Sequence, residues 1–369
     1  MGISAALGSS ALLPAGLGFR NLIINGEVMI DQRATTATVN TGVSYAYGPD
    51  RWLGLGTASA GVFTIARSTT VAPDGFRNSL VAQCTTLDSS MASGDNYQIL
   101  THLEGFNVAD LGYGTSWAKQ TWLTFWVRSS KTGTYSVSLR NSAINRSFVA
   151  EYTVNVADTW EFKRIQIVGD TTGTWVVDNG LGLRVAWSLG CGSDGTTSTL
   201  NSWQGANKVA STNQVNWMDS ATSRFFYLTG VQLEQNYQPT PFEQRPIGVE
   251  LQLCQRYYYR ITTPTGVSNG YLTNFGNVAY NANSVDALLY NPVPMRAPAT
   301  GSVDYSNLGL GDDINATVTG VVPRAINAAY STANTTLITF DKAAGFTTRY
   351  YYALIAQSAG SYIGVGAEL

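Results

Sequence analysis

Apolar and polar residues alternate with a period of two along most of this chain, in short runs separated by turns rich in glycine and asparagine. In Gly61 to Thr69, Val62, Thr64 and Ala66 alternate with Phe63, Ile65 and Arg67, the pattern of a strand. Comparable runs are Ser79 to Cys84, Asn96 to Gly105, Gln120 to Ser130, Thr134 to Ser142, Ser147 to Asn155, Trp160 to Gly169, Leu181 to Gly190 and Phe225 to Glu234. The run at Gln120 carries Trp122, Thr124 and Trp126 on one side and Leu123, Phe125 and Val127 on the other, so it is expected in the middle of a packed sheet. Phe19 to Arg33 has two apolar runs around Asn25-Gly26, a strong turn signal between strands. Val108 to Gly114 fits one helical turn. With many short strands, almost no helix and no long internal repeat, the pattern predicts an antiparallel jelly-roll β-sandwich over residues 19–238.

The period then changes. Pro239, Pro241 and Pro246 break regular structure three times in quick succession. From Gly248 to Tyr259, Val249, Leu253 and Tyr257 fall at steps of four, as do Glu250, Cys254 and Tyr258. That spacing predicts a short connector helix with Pro246 near its first turn, so residues 239–260 form a proline-rich linker and helix. The Val249, Leu253, Tyr257 stripe suits a contact between subunits, or packing of the helix on its own sandwich. Strand patterns resume beyond it, at Thr335 to Phe340, Thr348 to Ala356 and the terminal Ser361 to Leu369. They predict a smaller C-terminal β-sandwich over 261–369. Residues 1–18 are small and apolar without period: either a flexible tail or an arm that docks on a partner, burying Leu7, Leu12, Leu13 and Leu17.

Composition sharpens this picture. Of 369 residues, 44% are hydrophobic, enough for a sizeable core, while 12% are charged, against roughly a quarter in ordinary domains. Such a surface is typical of extracellular or particle-surface β-proteins. The net charge of −2 shows no electrostatic footprint for nucleic acid. Cys84, Cys191 and Cys254 are odd in number and far apart, which fits buried, reduced thiols better than a disulfide framework or a zinc site. The N-terminus lacks the basic start and apolar run of a signal peptide, and no stretch is long enough to insert in a membrane. A particle-surface protein without an export signal is explained by a virus assembled in the host cytoplasm and released by lysis.

Catalytic chemistry has little to work with. His102 is the only histidine and lies in a strand pattern, so a hydrogen-bonded strand residue is expected. Glu104 with Asp110, or Asp170 with Asp178, are the carboxylate pairs a glycosidase would need, but turn-forming acids account for them better. No catalytic residue, metal ligand or cofactor is expected. The long polar stretch from Leu189 to Thr222 is more informative. It carries Trp203 and Trp217 among amides and acids, including Asn207 and Asp219. Rings that stack on sugars beside amides that bond hydroxyls make these four the candidate glycan contacts. The alternative is that the tryptophans pin the loop to the core.

Several ordered blocks are distinctive: NLIINGEVMIDQR, YGPDRW, LEGFNVADLGYG, LTFWVRSSKTGTYSVSLRN, TWEFKRIQIVGDTTGTW, FYLTGVQLE and PFEQRPIGVELQLCQRYY. Together they resemble a family of bacteriophage virion proteins, tail fibres and related structural proteins, over Phe19 to Tyr259. The terminal YIGVGAEL is similar to an ending common in that family. The resemblance implies a jelly-roll domain similar to carbohydrate-binding modules, then a small β-domain, in a fibre that is often a homotrimer. It brings no catalytic residues. The implied role is a phage tail fibre on the virion that binds a host-surface polysaccharide without catalysis, docked to other tail or baseplate proteins by its N-terminal arm. The alternatives are a capsid-bound head fibre or decoration protein and, more weakly, a polysaccharide-degrading tailspike.

Overall fold

The computed structural model describes residues 19–219, 224–263, 271–273, 277–300, 303–311, 319–341 and 346–369. The expected docking arm, 1–18, lies outside them. Two antiparallel sheets face each other in the first part of the chain. One runs in the order Ala37–Val39, Val62–Ser68, Ser79–Thr86, Phe225–Glu234, Thr121–Ser129, Glu161–Ile167. The other runs Trp203–Gln204, Ser147–Val154, Gly133–Arg140, Leu181–Cys191, Asn96–Glu104, Trp52–Ala58, Gly42–Tyr47. Alternate residues of both fill a single core, as the period of two requires. At its centre Trp187 of the larger sheet lies 5.6 Å edge-to-face from Phe125 of the smaller and 5.7 Å from Trp52. This aromatic cluster joins the two layers. The all-β, jelly-roll-type sandwich is as the alternation predicts.

Two local expectations fail for one reason. Asn25-Gly26 does not turn a hairpin, and residues 19–33 contain no strand. The segment instead docks on a bulge in Phe225–Glu234, between Thr229 and Gln232. Val231 N–H donates to Gly26 O (3.0 Å), Leu22 N–H to Leu233 O (2.8 Å) and Asn21 Nδ2 to Val231 O (3.0 Å). Isolated backbone bonds and the Asn21 side chain thus supply the hydrogen bonds a ladder would have given. A Cβ at Gly26 would stand 2.2 Å from Val231 O, and Gly230 in the bulge has φ +59° against the Phe76 ring. The Trp122-bearing strand lies beside the edge strand of its sheet, not in its middle. Leu123, Phe125 and Val127 face the core, while Trp126 on the other face packs on Phe162 (5.4 Å).

Beyond the prolines, the helix spans Ile247–Gln255, and Tyr258–Thr262 is already a strand. Its buried face carries Glu250 and Cys254, against Ile24, Ile30 and Tyr257. The C-terminal part builds a second core between a three-stranded sheet (Tyr258–Thr262, Tyr362–Gly366, Asp304–Ser306) and a larger one that includes Asn277–Ala279, Ser284–Tyr290, Thr335–Asp341 and Tyr351–Ala356.

Buried charges lock the two parts together. Arg51, whose side chain is 2% exposed, pairs with Glu368, donates to His102 O and stacks 3.6 Å over the Tyr257 ring. Fully buried Glu104 accepts from Arg256 (2.6 and 2.8 Å) and from Tyr257 Oη (2.7 Å). Arg33 pairs with Glu368 at 3.0 Å and stacks on Tyr258. Removing one partner of such a pair strands the other charge away from water. Arg51→Ala is therefore expected to lower unfolding stability by roughly 3–5 kcal/mol in denaturant titrations. A loss below about 1 kcal/mol would contradict the locked joint.

His102 adds a pH dependence. Its Nδ1 lies 2.9 Å from the backbone oxygen of Leu369, so the neutral ring carries its proton there, and Nε2 is buried without a partner. Burial and Arg184 pull its pKa down to about 3. The unfolded side chain, near 6.5, binds its proton first. The stability from the neutral ring is complete above that pH and lost as pH falls towards 3. His102→Gln should flatten the fall in Tm between pH 7 and pH 4; an unchanged slope would show that the ring does not titrate this way.

Candidate functional site

Residues 192–219 fold back over the outer face of the larger sheet, with Ser211 N–H donating to Ser136 Oγ (2.9 Å). This placement corrects three of the four predicted glycan contacts. Trp217 is completely buried in the sandwich core and has no face to offer a sugar. Trp203 packs in an aromatic cluster, 5.2 Å from Trp175 and 5.6 Å from both Tyr113 and Phe148, and its Nε1 donates to Val168 O (2.6 Å). Trp217 pins the loop by complete burial, and half-buried Trp203 by its ring contacts and its bond to Val168. Asp219 is committed to ion pairs with Lys131 and Arg224 (3.2 Å). The predicted subunit stripe needs the same correction. Tyr257 is completely buried inside the chain and Leu253 packs beside it, so Val249, Leu253 and Tyr257 present no common exposed stripe.

Asn207 does reach a site. Between the 192–219 loop and the first strands lies a groove of about 290 Å³ on the outer face of the larger sheet. Gln98 and Leu55 are buried within it, and Arg140, Arg184, Asn207 and Tyr45 line it. The strand alternation puts these side chains here. Where Tyr97, Ile99, Leu183, Val185, Val137 and Leu139 point into the core, their neighbours Gln98, Arg184 and Arg140 must point out. Arg184 stands directly opposite both His102 and Arg140 in the ladders, forming one row across three strands. Arg140 reaches over the neighbouring strand, donating to Gln98 Oε1 (2.5 Å) and Asn207 Oδ1 (3.2 Å). Tyr45 is 58% exposed at the rim. Arg140 Nε, Arg184 Nε, Ser138 Oγ and Ser188 Oγ, all on this face, are buried with no hydrogen-bond partner among the described residues.

A planar ring beside amides and guanidinia can stack on a sugar and bond its substituents. A second cavity, about 350 Å³, lies in the seam between residues 21–29 and 242–250. Its polar groups are spent on each other: Arg245 pairs with Glu250 (3.2 Å), and Glu243 accepts the N–H groups of Arg20 and Asn21 (both 3.0 Å). One carboxylate of each pair weighed for hydrolysis is likewise engaged, Glu104 by Arg256 and Asp170 by Arg146 (2.7 Å).

No family model matches the chain, and no curated protein matches it. Among solved structures it is similar to the family 11 carbohydrate-binding module from Clostridium thermocellum in complex with a β-1,3-1,4-mixed-linked tetrasaccharide. That match has 12% identity and a TM-score of 0.27, and covers 51% of this chain and 91% of the module. It is similar to a family 61 module in complex with β-1,4-galactotriose, at 11% identity and TM-score 0.26, over 50% and 88% of the two chains. It is also similar to the enzymatically active domain of tailspike protein 4 of bacteriophage CBA120, at 12% identity and TM-score 0.30. That match covers 59% of this chain and 22% of the tailspike. At these scores the likeness carries no argument about a ligand.

The two kinds of aromatic are separable. Trp217→Ala should cost roughly 3–5 kcal/mol of stability, as a large core truncation does. Tyr45→Ala should change stability by no more than about 0.5 kcal/mol, as exposed substitutions do. Equal losses in thermal unfolding would contradict the division between packing and groove.

Proposed function

We propose that this chain is a non-catalytic glycan-binding fibre protein of a phage virion, with its saccharide site in the groove between Tyr45 and Asn207. The observation that carries the site is the convergence of exposed Tyr45 with Gln98, Asn207, Arg140 and Arg184 around one groove. The phage role is supported by the sequence blocks that resemble virion fibre proteins. It is in keeping with the low charge content and the three free cysteines, of which Cys84 and Cys254 are buried and Cys191 half-buried. Each groove is small, so one site binds weakly and firm adhesion comes from several sites engaged at once.

The trimer belongs to the same proposal, but its contact lies elsewhere than on the helix. The outer face of the larger C-terminal sheet exposes Val278 beside Tyr351, and Leu288 and Tyr290 on the adjoining strand, a run of apolar side chains with no cover from the described chain. Leu288→Arg should dissociate the trimer in light scattering at micromolar concentration while leaving binding per site intact. A wild-type chain that is monomeric there would count decisively against the assembly. For the site, Tyr45→Ala should reduce adsorption of labelled protein to host cells by about tenfold, in line with one lost stacking contact. Unchanged adsorption would move the site away from the groove.

A further inference from the structure

The two arginines of the groove differ from most other buried or half-buried arginines of the described chain, although Arg260 and Arg296 also form no ion pair there and bond backbone oxygens instead. Arg33, Arg51, Arg146, Arg224 and Arg245 each pair with a carboxylate. Arg140 is 5% exposed and Arg184 half-buried, and neither forms an ion pair with any described carboxylate. Arg140's partners are the neutral amides of Gln98 and Asn207; Arg184 reaches only Ser142 O, at 3.5 Å. The pair also stands directly opposite in the ladder, where like charges repel. Burial and the neighbouring Arg184 pull Arg140 down to about 10, so it remains charged at neutral pH. Asp194, the carboxylate on the groove wall, accepts from Ser93 Oγ (3.0 Å) and leaves both charges in place.

Two guanidinia line this groove with no counter-ion among the described residues, one of them almost fully buried, and the Nε–H of each is buried without a partner there. Guanidinium N–H groups bond planar anions through charge-assisted hydrogen bonds, and a buried cation is costly until an anion reaches it. We propose that the groove takes an acidic saccharide, whose anionic substituent, a carboxylate or a sulfate ester, sits between Arg140 and Arg184 while a sugar ring lies against Tyr45. This rests on the glycan reading of the groove and adds the chemical class of its ligand. The near-neutral net charge of the chain does not oppose it, since recognition here is local.

The test is calorimetric titration of the full chain with three trisaccharides: one of galacturonic acid, its carboxyl-reduced neutral counterpart, and that counterpart bearing a sulfate ester. Either acidic form should bind at least about tenfold tighter than the neutral one, the worth of one charge-assisted contact. Which acidic form binds tighter tells carboxylate from sulfate. Arg184→Gln, at a half-buried position that should fold normally, should abolish that preference, so that acidic and neutral forms bind alike; Arg140→Gln should do the same if it folds. Equal affinity for acidic and neutral forms, lowered by Tyr45→Ala, would overturn the acidic class and leave the glycan site standing. A preference that survives Arg184→Gln would also overturn it. Absence of binding by all three would overturn both.

Discussion

A sandwich sheet has two faces, and the larger sheet of this protein must satisfy a row of basic side chains on the one that does not face the core. Arg51, His102, Arg184 and Arg140 follow one another across it. The first two are met from the C-terminal part of the chain, Arg51 by Glu368 and His102 by the backbone of Leu369. The last two receive no carboxylate from the described residues. The same constraint, that a buried charge needs a partner, thus closes one end of the face with the second sandwich and leaves the other as a groove awaiting an anion. Attachment of the C-terminal sandwich and placement of the binding site are two outcomes of one arrangement.

This view changes the meaning of the proline-rich joint. The linker lies flat against residues 19–25, held by Glu243 and Arg245, and its helix packs inward through Glu250 and Cys254. Arg256 and Tyr257 then deliver their side chains to Glu104. The joint is a rigid seam, stiffened by its prolines and sealed by ion pairs, that fixes where Glu368 and Leu369 meet the sandwich. A helix free to bridge subunits would have to give up these contacts.

Much of the sandwich was legible because period-two alternation survives any register. Leu181–Cys191 and Phe225–Glu234 were bounded closely, and the break at Pro239 to Pro246 was plain. The Asn25-Gly26 turn was misread as a hairpin because its hydrogen bonds go to a strand some two hundred residues away. The helix stripe misled because Glu250, a charged residue, is the one buried, by pairing with Arg245. The site was the hardest to see. Gln98, Arg140 and Arg184 sit on separate strands, and only the pairing register brings them together. Trp203 and Trp217 drew attention as aromatics in a polar loop, yet a loop lying on a sheet uses its largest side chains as anchors. Asn207 was recoverable, being a polar residue on the part of the loop that overhangs the groove.

The most direct measurement is side-chain NMR of the arginine Nε–H groups during titration with the galacturonic acid trisaccharide. The Arg140 and Arg184 signals should shift together and saturate at one ligand per chain, while Arg51, already paired with Glu368, stays still. Movement of Arg51 with Arg140 and Arg184 unchanged would contradict the account.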